Sequence, residues 1–581
     1  MQTKSQFLNR VLTWFLATGI FIFLLVRLDA SDLNIEITHS WADHQLLLEK
    51  EWMKTTGPEE VSLTRVSYLL SEPRLVDHQG TEIVRRDWFA FVDAEEKDPA
   101  IRLDGLPKNR YKSFSFSIGL PESVNRSDPS NYSHQHPLNP LRNNLHWSWQ
   151  GGYIFLALEG RYRVHDETFG LLYHIGNPPH LMRIELEVDW DLNSDSETTL
   201  NFDLQKVLGT IPSQHSSHGR EGDEIAVQIK KRVENAFSVS SLRRKQTGRN
   251  LSSYESKIRK AAAGIGTPYP FVVKKGFPLP ALPRDFPLTQ ERIILGKKLF
   301  FDQGLSGDGS VSCASCHREE FAFADSRPFS LGIDSQKGSK NSMPLVNLAW
   351  KQNFTWSGTA KSIREQALKA LRNPQEMGAN EKELLKKISD EESYKKLFRN
   401  AFREASPTMD QIGVALEQFV ISLTSMDSKF DRAVRGGDPL SQKEKRGFDL
   451  FFTEYDPRQK LYGADCFHCH GGPFFSDFRA HDNGLKKRPS DDPTQKISNY
   501  DSATITPSLR NIELTAPYMH DGRFESLDEV LKHYTSGIQR SPTLAPSLAK
   551  HGHHGIPIPE KDQQAIIAFL KTLTNPSLIK D

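Results

Sequence analysis

The chain has 581 residues, with 74 Lys and Arg against 73 Asp and Glu and a formal net charge of +1 at pH 7. So even a balance argues against nucleic acid or an anionic membrane surface as the main partner. A chain that is 25% charged and 37% hydrophobic has the composition of folded protein, and its length exceeds what a single core organises.

At the N-terminus, Lys4 and Arg10 precede an apolar run from Val11 to Val26 that Arg27 ends. This layout makes residues 1–30 a signal peptide, or alternatively an uncleaved membrane anchor. Either one sends the remainder to the periplasm. From 31 to 240 the pattern is β. Leu33-Asn-Ile-Glu-Ile-Thr, Tyr111-Lys-Ser-Phe-Ser-Phe-Ser-Ile and Leu181-Met-Arg-Ile-Glu-Leu-Glu-Val alternate apolar with polar residues. Tyr153-Ile-Phe-Leu-Ala-Leu is continuously apolar, as a central strand is. Regular strands broken by Gly, Pro, Asn and Asp turns predict an all-β sandwich, closed by a helix within Glu221–Phe237. Residues 241–285, with Pro268, Pro270, Pro278, Pro280 and Pro283, read as a linker.

The rest reads as helical. Leu288 to Phe300 carries a Thr cap and apolar i, i+3/i+4 spacing, and 381–402 and 409–434 each read as one amphipathic helix. Leu440-Ser-Gln-Lys-Glu-Lys-Arg-Gly-Phe repeats the earlier helix, which implies an internal duplication. His551-Gly-His-His554 reads as a solvated loop.

All four cysteines fall in two copies of one motif, Cys313-Ala-Ser-Cys316-His317 and Cys466-Phe-His-Cys469-His470. Two thiols flanking two residues and followed by His form the c-type haem attachment pattern. The thiols bond the haem edge and the His ligates iron. A four-thiolate zinc site would need its pairs far closer than the 153 residues (466 minus 313) that separate these. The predicted architecture is therefore multidomain: an N-terminal all-β sandwich followed by two mainly α cytochrome c domains, at 286–435 and 436–581.

Over roughly 285–575 the chain resembles the bacterial dihaem cytochrome c peroxidase family and its MauG-like branch. Phe300-Phe-Asp-Gln-Gly-Leu-Ser-Gly-Asp-Gly, Trp356-Ser-Gly, Asn373-Pro-Gln-Glu-Met and Thr515-Ala-Pro-Tyr-Met-His-Asp-Gly-Arg-Phe carry the resemblance. It implies two covalent haems, hydrogen peroxide as substrate, and a small cytochrome or cupredoxin as a possible electron donor. By position, Glu376 is similar to the family's distal acid–base carboxylate, Gln366 lies in the matching distal region, and Trp356 is similar to the tryptophan between the haems. Asn341, Thr515 and Pro517 match the calcium ligands, oxygen donors that suit a hard cation. There are departures. Where peroxidases carry a blocking His, the element here is Ser330-Leu-Gly-Ile333, which implies a first haem held by His317 alone. Where peroxidases place an axial Met on the second haem, this chain has Tyr534, as MauG-like enzymes do; His533 and Met519 are rival ligands, and core packing is a further reading of Tyr534. Ala370 stands where relatives often carry a distal Pro.

The β region resembles the copper-binding MbnP-type proteins. The resemblance rests on His146-Trp147-Ser-Trp149-Gln-Gly-Gly, Tyr173-His174-Ile-Gly, Val61 to Ser71, and the later His215 and His218. In that family copper is held by His and by a kynurenine that a companion dihaem enzyme, MbnH-type, makes from Trp. The resemblance implies His39 and His174 as copper ligands and Trp147 as a ligand or modified residue; Trp149, and Trp41 between His39 and His44, are the other tryptophans in play. The joint expectation is a peroxide-dependent dihaem oxidase acting on its own N-terminal domain. The alternatives are a conventional peroxidase fed by a small redox protein, and a non-enzymatic copper-binding or electron-transfer protein.

Overall fold

The computed structural model describes residues 30–96, 101–147, 152–165, 167–211, 216–219, 222–244, 266–403, 406–457, 460–486, 503–551 and 554–578. The signal or anchor segment, Trp149 and His215 lie outside them. The described residues form two compact units. One comes from the stretch up to Arg126 together with 152–249, and the other from 127–151 together with 250 onward.

The first unit is two sheets. In one, Ala30–Trp41 runs parallel to Ser196–Asp203, from Leu33 opposite Ser196 to Ser40 opposite Asp203, and antiparallel to His44–Gln45 and Ile101–Pro107. Phe237–Arg244 pairs with Ser196–Asp203, so strand structure continues into residues that read as the start of the linker. The other sheet has the order Met182–Asp191, Arg110–Ile118, Glu60–Asp77, Ile154–Val164, Glu167–Gly176, Ser216–Ser217. The apolar run is interior, as expected: Ile154 to Leu158 is buried at every position. Met182–Asp191 alternates buried with exposed residues along most of its length, as a strand with one covered face does. The sheets meet through aromatic rings. Tyr68 lies 5.7 Å from Phe202 and Phe116 lies 5.4 Å from Phe237, both edge-on. Asp223 caps helix Glu224–Glu234 through Ile225 N and Ala226 N, and that helix buries Ile225, Ala226, Ile229 and Val233.

The sandwich is not continuous in sequence. Residues 127–151 belong to the helical unit. Tyr153 N donates to Asn125 Oδ1 at 2.7 Å, and Gly152 at φ +89° leaves room for the Asn125 amide, so the two ends of the excursion are stapled together. Within the helical unit, Asn144 Nδ2 donates to Asp477 O at 2.9 Å and Asn139 Nδ2 to Leu279 O at 3.2 Å, while Leu141 packs on the core.

The duplication is visible in packing. Helix Gln290–Phe301, capped by Thr289, crosses Met409–Ser422 with Gly296 against the Ala415 carbonyl and Phe419. Helix Gln442–Phe451, started by a Ser441/Glu444 capping box, crosses Glu560–Lys571 with Gly447 against the Ala565 carbonyl and Phe569. A methyl at either glycine would strike backbone. Gly447→Ala is therefore expected to lower stability by about 1–3 kcal/mol, seen as a lower denaturant midpoint of the holoprotein. An unchanged midpoint would show that the helices spread freely.

Two expected helices are broken. The 381–402 stretch is Glu381–Asp390 and Glu392–Phe402, with Glu391 extended at φ −85°, ψ 117° as the N-cap of the second. The 409–434 stretch is Met409–Ser422 and Lys429–Val434, because Ser428 and Asp431 form a new capping box and Ser425 N is taken by Asn347 Oδ1. Among the described residues no helix is long and apolar enough to cross a membrane.

Candidate dihaem active site

The two attachment motifs adopt matching geometry. Cys313–Cys316 is one helical turn opened by a Ser312/Ser315 capping box, and Cys466–His468 is a short 3₁₀ turn. After each motif the chain turns back through left-handed residues, Ala322 and Phe323 in one and Phe475 in the other. This aims a carbonyl at the histidine. His317 Nδ1 donates to Phe323 O at 2.8 Å and His470 Nδ1 to Phe475 O at 3.0 Å. With Nδ1 so engaged, each ring keeps Nε2 for iron, the tautomer that haem ligation uses. Burial lowers both imidazole pKa values, which keeps the rings neutral. Burial also pushes the Cys313 and Cys466 thiols up to about 12. None of the four cysteines is in a disulfide. These residues fit two covalently attached haems.

Near the first motif, the loop at Ser330 to Ile333 is tied to the 373–378 loop. Ile333 N donates to Glu376 O at 2.9 Å, and a side chain at Gly332 would strike the Gln375 carbonyl. The Ile333 side chain lies against Gly378. Ser330 Oγ bonds Asp325 Oδ2 at 2.6 Å, which anchors the loop at its other end. Glu376 is exposed and accepts from Asn373 Nδ2 at 2.8 Å. Loss of solvation by neighbouring atoms raises its pKa, and the Asn373 bond pulls the other way. It is close enough to Cys316 to bias that thiol, so it shares the first motif's surroundings. Gln366 is half-buried on helix Ile363–Arg372, which Ser362 caps and which Arg364 ties to Glu417 at 2.8 Å.

Trp356 Nε1 donates to Asn341 O at 2.8 Å, and its ring is edge-on to His520 at 6.4 Å. Asn341 N in turn donates to His520 O at 2.9 Å. Asn341 Nδ2 donates to Arg327 O at 3.1 Å, which orients the amide. Thr515 and Pro517 are buried on the segment that leads to His520. The structure thus gathers Trp356 and Asn341 at one junction with the segment carrying Thr515 and Pro517.

Near the second motif, helix Leu527–Lys532 runs into a π turn at His533–Gly537. Leu527 and Leu531 pack in the domain core, whereas Tyr534 leaves that stripe and packs beside Ile538, Leu544 and Ala549. Its phenol is pushed up to about 12 by burial, against a bond from Asn483, and the Cys469 and Cys466 thiols push it the same way as burial. Tyr534 therefore lies within electrostatic reach of the attachment cysteines. His533 Nε2 bonds Asn483 O at 3.1 Å and Met519 Sδ accepts from Asn483 Nδ2 at 3.8 Å, so Asn483 touches both rivals as well as Tyr534.

Two features here were not legible. His551, read as part of a solvated loop, is buried and bonds Asp465 Oδ2 at 2.7 Å because the loop folds onto the second motif. Trp147 lies with its ring 6.2 Å from Phe467, between the two thiols of that motif.

In the β unit, His174 Nε2 bonds Glu159 Oε1 at 3.0 Å and stands edge-on to His218 at 5.3 Å. Burial lowers its pKa, and Glu159 opposes this. His39 Nε2 bonds Tyr68 OH at 3.1 Å, and burial pushes its pKa down to about 4 against the effect of Asp93. The described contacts do not bring His39 to His174. Trp41 is buried and donates to Lys54 O at 3.1 Å, while His44 is exposed.

Comparison with known proteins assigns the two halves of the sequence to different families. Residues 290–439 match the family model for di-haem cytochrome c peroxidase, and residues 30–222 match that for MbnP. The methylamine utilization protein MauG of Methylorubrum extorquens is 34% identical over 299 residues, covering 50% of this chain and 80% of that protein. The cytochrome c551 peroxidase of Nitrosomonas europaea is 32% identical, covering 48% and 79%. The crystal structure of a MauG-like protein associated with microbial copper homeostasis is 30% identical, covers 54% of this chain and 97% of its own, and has a TM-score of 0.47. With two haem-attachment motifs in matching geometry and relatives at this level, the chain belongs to the di-haem cytochrome c peroxidase family, as a dihaem peroxidase-type oxidoreductase joined to an MbnP-type N-terminal region.

Proposed function

We propose that this dihaem oxidoreductase works in the periplasm as a MauG-type oxidase that uses hydrogen peroxide to convert a tryptophan of its own N-terminal region to kynurenine. The observation that supports this most directly is Trp147. It lies in the MbnP-type region yet folds with the haem unit, 6.2 Å from Phe467 of the second attachment motif. A substrate indole beside the haem periphery can lose electrons without entering a pocket.

When bound, haem would supply the redox chemistry of peroxide reduction. The chain's own residues do the rest. Ile333 has no ligating atom, so peroxide has access to the side opposite His317. Glu376, its pKa raised, exchanges a proton with peroxide oxygen there. Gln366 would share that distal side, Trp356 would relay charge between the two haem sites, and Tyr534 would offer the second iron a hard oxygen donor. Asn341, Thr515 and Pro517 would hold calcium at the junction, and His174, edge-on to His218, would be a copper donor of the β unit, whereas His39 stands apart from it on Tyr68. Conversion of Trp to N-formylkynurenine removes four electrons and four protons and adds two oxygen atoms from water. Two molecules of peroxide accept those electrons and protons and become four waters. Hydrolysis of the formyl group then releases formate and leaves kynurenine.

Peroxide-treated holoprotein is expected to gain two oxygen atoms on the peptide carrying Trp147, followed by loss of the formyl carbon, and Trp147→Phe is expected to abolish both. Peptide mapping with intact-mass analysis reads this. No oxygenated Trp in the N-terminal region, together with fast turnover of a reduced small cytochrome, would replace this reading with that of a conventional peroxidase.

A further inference from the structure

We infer that Asp465 and Lys550 set the reduction potential of the second haem, as opposed buried charges held against its attachment loop. The inference concerns the electron affinity of one haem and stands whether the final substrate is a tryptophan or a small cytochrome.

Asp465 immediately precedes Cys466, in left-handed backbone at φ 56°. Its side chain is 1% exposed. It accepts from Tyr455 N at 2.9 Å, bonds His551 Nε2 at 2.7 Å and pairs with Lys550 Nζ at 3.1 Å. Lys550 also pairs with buried Glu454 at 2.7 Å and lies 3.4 Å from His468 Nε2. His468 is itself one of the two residues between the thiols. Burial works against both charges, yet Lys550, His468 and His551 hold Asp465 well below the usual carboxylate range, and Asp465 and Glu454 raise Lys550. The Asp465 carboxylate also bears on the Cys466 thiol, the atom that carries the haem edge.

The internal duplication shows that closing such a loop needs none of this. At the first motif the matching positions are Ser312 before Cys313, and Ala314 and Ser315 between the thiols. There Ser312 N donates to Ser315 Oγ at 3.0 Å, and uncharged groups cap the turn. Burying ions is unfavourable, and neutral side chains often replace buried pairs without loss of stability. The charges at the second motif therefore do something that a clamp does not require. A carboxylate beside a haem favours the oxidised, more positive state and an ammonium the reduced one. In a protein interior a unit charge within about 10 Å changes such an equilibrium by roughly tenfold.

Spectroelectrochemical titration of the holoprotein tests this. Asp465→Asn is expected to raise the midpoint potential of the second haem and Lys550→Met to lower it, each by a roughly tenfold change in the oxidised-to-reduced ratio at fixed potential. Asp465→Glu is expected to restore the parental midpoint, and the first haem should stay unmoved. Shifts of the same sign, or no shift with both haems retained, would overturn the inference. If Asp465→Asn fails to retain haem, Glu454→Gln carries the same sign from one contact further out, and a fall or no change in its midpoint overturns the inference equally.

Discussion

Replacing Glu376 with Gln is expected to lower peroxide turnover by about 10²- to 10⁴-fold, the range for losing one positioned acid–base group, while both haems remain attached. The substitution keeps the shape of the side chain and the contact with Asn373 Nδ2, so the 373–378 loop stays tied to Ile333 through backbone bonds that it does not touch. What goes is the ability to accept and return a proton. Since crowding raises the Glu376 pKa, the acid limb of the parental pH profile is expected above the ordinary glutamate range, and Glu376→Gln should remove that limb as well as the rate. Unchanged turnover under saturating peroxide would strip Glu376 of its assigned role.

Arg510→Ala is expected to destabilise the helical unit by about 3–5 kcal/mol, the range for leaving one member of a buried pair uncompensated. Arg510 and Asp431 form two parallel bonds at 2.9 Å with side chains 1% and 0% exposed. The guanidinium also donates to Pro473 O at 2.7 Å and stacks 4.6 Å from Phe277. Pro473 lies in the turn after His470, so the pair supports the very segment whose Phe475 carbonyl orients that ligand. Denaturant unfolding of the holoprotein measures the loss. The double substitution Arg510→Met with Asp431→Leu should recover much of it, because no buried charge then stands alone. A single-variant loss below about 1 kcal/mol would contradict the buried-pair account.

Local covalent pattern was readable. The spacing of Cys313, Cys316 and His317, and of their second copy, is a property of five consecutive residues, and the fold gives both histidines the tautomer such ligation needs. Strand alternation and the interior run at Ile154 were readable for the same reason. Effects that depend on partners distant in sequence were not. Helix 381–402 breaks at Glu391, whose extended backbone ends one helix and starts the next, and the 409 helix stops where Asn347 claims Ser425. Tyr534 leaves the stripe it shares with Leu527 and Leu531 because of a π turn, which no heptad count anticipates. His551 is buried by Asp465, 86 positions earlier. The neighbours of Trp147 lie in the half of the chain that its own motif gives no hint of.

The excursion at 127–151 has a consequence for biosynthesis. A chain synthesised from its N-terminus delivers Asn144 more than three hundred residues before Asp477, the residue whose carbonyl it binds. The MbnP-type sandwich can pair its strands early, yet the loop stapled by Asn125 and Tyr153 must wait for the second haem-bearing segment to emerge and fold. Maturation is thereby ordered in time: Trp147 reaches its place beside Phe467 only once the machinery around it has been assembled.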